Sequence, residues 1–270
     1  MRTFLSGLAT IVAVVAIVLA VPAVWISERI VSDDGFSSLI EPVGHDQAVK
    51  DYLAGQITDE IASRTSISGA ESVVRPLANA YTNSSQFPAD FADVAKQQHQ
   101  WLFDEASDPN APMQLDITPM VNRVLASARV GVTVSGSITI PVSSGNTGLH
   151  AGAYHRAGEQ ITTIGKVSVI VGIIAAVIAL LVARRRGTVI AWLGIAAVIA
   201  GVVCWAGANL YGAYVKNDLS SSENSAKPVA DVVIDTISQE LQWTGVISML
   251  VGAGIFVFGV VVRLVFGGRR

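Results

Sequence analysis

Histidine and cysteine are the side chains of this chain best suited to metal binding, acid–base chemistry or nucleophilic attack. The four histidines are His45, His99, His150 and His155, and the single cysteine is Cys204. No two histidines have the H-E-x-x-H spacing that puts two imidazoles on one helical face, and His150 and His155 are five residues apart. Cys204 lies inside a long apolar run, where a lone cysteine is expected to be a small buried residue. We therefore predict no metal site and no intramolecular disulfide.

Motifs that activate a nucleophile or bind phosphate are also missing. The sequence contains no G-x-S-x-G and no glycine-rich loop that ends in Lys-Ser or Lys-Thr. A catalytic group would have to be assembled from distant residues such as Asp116, His99 and Arg123. We therefore predict no catalytic residue and no cofactor, and an enzyme remains an alternative hypothesis.

Four long apolar segments divide the chain, and they must position any such site. They are Phe4–Ile26, Val167–Ala183, Thr188–Asn209 and Thr244–Val262. About 20 apolar residues are needed to cross the hydrocarbon core of a bilayer, and residues 161–165 can lengthen the second segment. Only 14% of the residues are charged, against about 25% in an average soluble domain. The fold class we predict is an all-α membrane protein with four transmembrane helices.

Charge is partitioned by these segments. All twenty-one acidic residues lie in 27–163 and 210–243, together with ten basic residues, and Lys166 directly precedes the second apolar segment. The remaining pieces carry seven arginines and no acid. These are Arg2, Arg184, Arg185, Arg186, Arg263, Arg269 and Arg270. Because short cytoplasmic loops are enriched in Lys and Arg, these arginines predict cytoplasmic termini. Arg184–Arg186 could also contact anionic lipid or nucleotide, although topology alone accounts for them.

The first segment raises the alternative of a cleaved signal peptide, because Arg2 precedes an apolar run that ends near small residues. The run is about 20 residues long, whereas a signal core is about 7–15, and no clean A-x-A site closes it. We predict an uncleaved anchor.

The predicted organisation alternates between the two sides of a membrane. The tail and first span cover 1–26, and an extracytoplasmic, mainly helical domain covers 27–163. The second span (164–183), a cytoplasmic turn (184–187) and the third span (188–209) form a hairpin. An extracytoplasmic loop (210–243), the fourth span (244–265) and a cytoplasmic tail (266–270) complete the chain.

Periodicity predicts the elements of the large domain. Val49, Leu53, Ile57 and Ile61 recur every four residues, as on one face of a helix. Further helices are expected after the capping-box pair Ser68 and Glu71, from about Pro88, and from Thr118 as N-cap to about residue 128. Alternating apolar residues favour a small β-hairpin near 130–142.

The loop 210–243 carries an amphipathic helix that begins at Pro228. Its apolar stripe consists of Val229, Val233, Ile237 and Leu241. The stripe could pack on the large domain or lie in the lipid interface. The acidic residues elsewhere on this helix argue against the second reading, since interfacial helices favour Lys and Arg.

Small residues recur every seven positions in three of the spans. The rows are Gly165, Gly172 and Ala179; Gly194, Gly201 and Ala208; and Gly245, Gly252 and Gly259. Seven residues are close to two helical turns, so each row lies on one narrow face, and small residues let helices approach closely in lipid. We predict a tight bundle of spans two, three and four with left-handed crossings. Span one would pack at its side through Ala9, Ala13, Ala16 and Ala20.

Several function classes are disfavoured by composition. The span cores contain no Asp, Glu, Lys, Arg or His, which coupled transporters usually need. The large domain is acidic, whereas nucleic-acid binding needs a basic patch, so no nucleic-acid partner is predicted. The expected partners are the lipid bilayer and an envelope protein or lipid. A homo- or hetero-oligomer is compatible with the sequence.

Short motifs resemble those of a group of actinobacterial four-span membrane proteins. Pro42 is followed by Asp46, Ala48 and Val49 and then by Ile57-Thr58, and Leu115–Pro119 resembles a D-L-x-P element late in their external domain. The arginine-rich turn and the acidic loop match their layout. The resemblance implies a bacterial inner membrane and a domain that faces the cell wall. That family has no established activity, so it supplies no catalytic residue.

We predict from the sequence a non-catalytic accessory, scaffold or binding subunit of the cell envelope that acts through its extracytoplasmic domain. One alternative is a lipid-handling protein or enzyme with a cleft where that domain meets the membrane. The second alternative is a homo-oligomeric channel.

Overall fold

The structure is a computed structural model that describes residues 2–64, 70–127, 139–142, 150–183, 185–220 and 227–267. It divides into two compact units. Unit 1 comprises Met1–Val31, Ala157–Val215 and Ile237–Arg270, and unit 2 comprises Ser32–Arg156 and Lys216–Thr236. Residues 216–236 of the predicted loop 210–243 therefore belong to the same unit as the large domain.

Unit 1 is built from four long apolar helices. They are α1 (Arg2–Ile26), α7 (His155–Val182), α8 (Arg186–Ser220) and α9 (Lys227–Gly267). A π-helical turn, Ser27–Val31, continues α1. All four helices are long and apolar enough to cross a membrane. The prediction of four such helices is confirmed, although α8 and α9 extend well beyond the apolar segments.

Unit 2 is mainly helical. It contains α2 (Asp33–Ile40), a 3₁₀ turn (Glu41–His45), α3 (Gln47–Arg64), α4 (Ala70–Thr82), α5 (Phe87–Phe103) and α6 (Thr118–Ser127). One core cluster gathers Ala54, Ile57, Ala78, Tyr81, Phe87, Met120 and Val124 from α3, α4, α5 and α6. Ile57 belongs to the predicted four-residue repeat of α3, so that periodicity marks the buried face of the helix.

A second core cluster of unit 2 includes the start of α9, which belongs to this unit up to Thr236. Ile40, Val43 and Val49 are buried there, and Val229 and Val233 of α9 pack against them. Of the two readings of the amphipathic stripe, packing on the large domain is therefore observed for these two residues. The stripe does not belong to a separate helix, since α9 runs unbroken from Lys227 to Gly267.

The described residues form one short two-stranded ribbon. The strands β1 (Met113–Asp116) and β2 (Thr139–Val142) pair antiparallel, with Met113 opposite Val142. The strand prediction is confirmed at 139–142, but the partner of that strand lies before α6. Residues 130–138, the other half of the predicted hairpin, lie outside the described residues, as does Ser68 of the predicted capping box.

Candidate functional site

Glycines bring α8 and α9 together in an antiparallel pair. A β-carbon built on Gly194 would lie 2.4 Å from the Phe256 nitrogen and 2.7 Å from the Gly252 carbonyl oxygen. Similar backbone approaches join Gly201 to Gly245, where the distance is 2.5 Å to the Gly245 oxygen. These separations leave no room for a side chain, so the two helices touch backbone to backbone.

The same row of contacts extends beyond the predicted residues. A β-carbon on Gly259 would lie 2.8 Å from the Gly187 oxygen, and one on Gly187 would lie 2.6 Å from the Arg263 nitrogen. Gly187 lies seven residues before Gly194, so the spacing already contained the signal for it. At the other end of the row Ala208 is buried.

The row in span two contacts span one. A β-carbon on Gly172 would lie 3.4 Å from the Ala16 side chain, and one on Gly165 would lie 3.4 Å from the backbone of Ala23. Ala179 is buried, and its carbonyl oxygen accepts a hydrogen bond from the Ser6 hydroxyl at 3.4 Å. The predicted packing of span one through its alanines agrees with this contact at Ala16. What the prediction did not include is that the small residues of α7 face α1.

Of the seven topology arginines, the side chains of Arg185, Arg186 and Arg263 are described, and all three are exposed. Arg184, Arg269 and Arg270 lie outside the described residues, and Arg2 is described only as the first residue of α1. Because the backbone of Gly187 packs on that of Arg263, Arg263 of α9 lies beside the first turn of α8.

A partly open cavity of about 750 Å³ lies in unit 1 at this arginine-bearing end. Its polar lining residues are Ser6, Thr10, Arg185, Thr188 and Arg263, and its apolar lining comes mainly from α1, Val189 and Trp192. The Ser6 hydroxyl bonds to Ala179, and the Thr10 hydroxyl donates to the Ser6 carbonyl oxygen at 2.7 Å. Both hydroxyl groups therefore already have hydrogen-bond partners within the protein. The charged groups, Arg185 and Arg263, lie at one end of a largely apolar cavity.

In unit 2, His99 is buried between two aromatic rings. Phe36 and Phe103 stack on its imidazole with ring centroids 4.5 Å away on each side. Its Nδ1 lies 3.1 Å from a carboxylate oxygen of Asp33, whose other oxygen accepts a hydrogen bond from Gln100 at 2.6 Å. This arrangement holds α2 against α5.

Tyr81, Asp90 and Arg123 form a second polar cluster. The Tyr81 hydroxyl donates to Asp90 at 2.6 Å, and Arg123 Nη2 lies 3.0 Å from the other oxygen of that carboxylate. Arg123 also donates to Gln86 at 2.7 Å. Burial, followed by the hydrogen bond to Asp90, raises the pKa of the Tyr81 phenol well above its ordinary value.

Asp116 begins α6. Its carboxylate accepts the Thr118 backbone N–H at 2.9 Å, and its own backbone bonds to Gln97 of α5 at 2.8 Å and 3.2 Å. Hydrogen bonds from the Thr118 side chain and backbone lower the pKa of Asp116. Thr118 is already helical, so the prediction of Thr118 as N-cap is wrong, since the capping carboxylate comes from two residues earlier.

The three residues named as candidates for a catalytic group each contact a different partner. His99 bonds to Asp33, Arg123 to Asp90, and Asp116 to the start of α6. Within the described part of the chain, no group of three His, Cys, Asp or Glu side chains could hold a metal ion. Sequence reasoning did not identify Asp33 as the partner of His99, because the two residues are 66 positions apart and no short motif links them.

These features define a class of protein: one unit with four helices suited to crossing a membrane, and one helical unit with an apolar core and polar contacts between its helices. Comparisons with protein-family models, with curated proteins and with solved structures found no match.

Proposed function

We propose that this chain is a multi-pass protein of a bacterial cytoplasmic membrane, with both termini in the cytoplasm and unit 2 outside. Unit 2 acts as a non-catalytic binding or scaffold module of the cell envelope. The charge partition supports the orientation, because the arginines at the connection between α7 and α8 have no acid among them.

One observation carries the non-catalytic assignment. Four side chains of unit 2 that could act as an acid, a base or an anion-binding group, namely His99, Asp90, Arg123 and Asp116, each make contacts that join or begin helices. A catalytic pair needs a nucleophile or base within reach of a substrate position. In unit 2 these four side chains instead make contacts that stabilise the fold.

The surface of unit 2 indicates the chemistry of a partner. Glu41, Asp51 and Asp59 are exposed on the 3₁₀ turn and α3, within the most acidic stretch of the chain. Complementary charge at an interface speeds encounter and selects partners. We therefore propose a basic envelope partner for this surface.

Topology is tested with single cysteines in a Cys204→Ala background. A membrane-impermeant maleimide should label Asp59→Cys in intact spheroplasts and should label Arg186→Cys only after permeabilisation. The reverse pattern would overturn the orientation, and labelling of both without permeabilisation would overturn the membrane-spanning arrangement.

The binding role is tested by purifying the tagged protein in a gentle detergent and identifying stoichiometric partners. The charge reversal Glu41→Lys with Asp51→Lys should release the partner, whereas the matched pair Glu105→Lys with Asp108→Lys, exposed elsewhere on unit 2, should retain it. A preparation without a partner, or equal loss in both variants, would refute the proposed surface.

A further inference from the structure

The cavity of about 750 Å³ is lined by two chemically different regions. Arg185, Thr188 and Arg263 lie at its polar end, and Ile11, Val14 and Val15 of α1 lie along its apolar wall. The side chains of Ile11 and Trp192 are 63% and 50% exposed, so the cavity opens to the surroundings of unit 1. An occupant must therefore have one charged end and one hydrocarbon part.

The charge of the occupant follows from the sequence. No acid lies in residues 1–26, 164–209 or 244–270, which form the spans and their arginine-bearing ends. Arg185 and Arg263 thus find no counter-charge in this part of the chain. Arginine binds phosphate through paired N–H donors, and a phosphate group would supply the missing charge.

The apolar lining of the cavity indicates that the rest of the occupant is a hydrocarbon chain. The hydroxyls of Ser6 and Thr10 are bonded to carbonyl oxygens of the helices, so they do not offer the cavity a free polar lining. In a bilayer an apolar recess of this kind is filled by an acyl chain at little cost, whereas water there would lack hydrogen-bond partners.

We propose that this cavity binds one anionic phospholipid, with its phosphate between Arg185 and Arg263 and an acyl chain along α1. The inference rests on the proposed crossing of the membrane by the four helices. It does not depend on the role of unit 2 or on its partner.

Native mass spectrometry of the detergent-purified full chain, titrated with phosphatidylglycerol or phosphatidylcholine, tests the charged end. The wild type should retain one phosphatidylglycerol in preference to phosphatidylcholine. Each of Arg185→Gln and Arg263→Gln should weaken the binding of phosphatidylglycerol about fivefold, as expected for the loss of one arginine near an anionic headgroup. Arg186→Gln is the matched control, because Arg186 is exposed and adjacent but does not line the cavity.

A steric variant tests the apolar wall. Gly7 lines the cavity, and a β-carbon built there meets nothing within 4 Å, so Gly7→Leu should fold and fill the recess. It should reduce retention of both lipids, whereas Gly254→Leu, which is equally unobstructed but away from the cavity, should leave retention unchanged.

Three results would overturn the proposal: no lipid preference in the wild type, equal weakening by Arg186→Gln, or displacement of the lipid by millimolar glycerol 3-phosphate. The last result would indicate a site for a free anion. The spheroplast labelling separates this failure from that of the proposed function, because it reports the crossing of the membrane independently of any bound lipid.

Discussion

Replacing Gly194 by alanine adds a single methyl group at one of the closest approaches between α8 and α9. That methyl carbon would lie 2.4 Å from the Phe256 nitrogen, 2.7 Å from the Gly252 oxygen and 2.8 Å from the Phe256 Cα. Ordinary contacts between such atoms are about 3.5–4 Å. All three neighbours are backbone atoms, so no side-chain rotation relieves the clash and the helices must separate by roughly 1 Å.

The free energy of unfolding should fall by about 1–3 kcal/mol, the range for overpacking a well-packed interface. The change also places alanine in a helix, which in water would gain about 1 kcal/mol over glycine, so a net loss of stability must come from the interface. Gly254→Ala provides the matched control, because its β-carbon meets nothing within 4 Å. That variant should be neutral or slightly stabilised.

Thermal unfolding in detergent, followed by circular dichroism, measures both variants against the wild type. Gly194→Ala should unfold at a lower temperature and Gly254→Ala should not. The backbone contact between α8 and α9 would be refuted if Gly194→Ala matched the wild type, or if both alanine variants lost the same stability.

Three further predictions concern unit 2. Tyr81→Phe should cost about 1–2 kcal/mol at neutral pH through the lost hydrogen bond to Asp90. Because the pKa of Tyr81 is raised, its contribution is present below about pH 10 and is lost at higher pH, so chemical unfolding should show wild type and variant converging there. Because the pKa of Asp116 is lowered, its contribution is lost as the pH falls below about 4, and Asp116→Ala should be less sensitive than the wild type to acid. Val233→Ala, which removes a contact with the Ile40 cluster, should cost roughly 1–2 kcal/mol in urea unfolding, whereas Val73→Ala, at a 65% exposed position, should change little.

Hydropathy predicted the four apolar helices, but it did not predict where they end. Apolar content marks the part of a helix that lipid can surround, whereas hydrogen bonding within the helix continues into polar residues. This explains why α8 reaches Ser220 and α9 begins at Lys227. The helix α9 therefore includes Val229 and Val233, which the sequence placed in a separate amphipathic helix.

Periodicity identified the small-residue faces more readily than their partners. The spacing of Gly165 and Gly172 fixes one face of α7, but a face of small residues fits any helix that offers a matching surface. The alanines of α1 supply that surface, with Ala16 against Gly172. The pairing of β1 with β2 was missed for a related reason, since Met113–Asp116 is too short to show alternation and its partner lies 23 residues further along the chain.

The polar clusters of unit 2 were the least predictable part of the candidate site. Asp33 and His99 are far apart in the chain, and only the packing of α2 on α5 brings them within 3.1 Å. The same holds for Arg185 and Arg263, which the sequence assigned to the same side of the membrane. Their shared cavity required knowledge of which helices are neighbours.

The seven-residue spacing along α8 and α9 makes these helices sensitive to changes in length. One residue inserted between Gly245 and Gly252 would turn every later position by about 100° and move Gly252 and Gly259 off the contact face. An insertion of seven residues would return them to that face after a shift of roughly 10 Å along the axis. Because α8 ends at Ser220 and α9 begins at Lys227, insertions and deletions should be tolerated between these two positions and excluded from within the two helices.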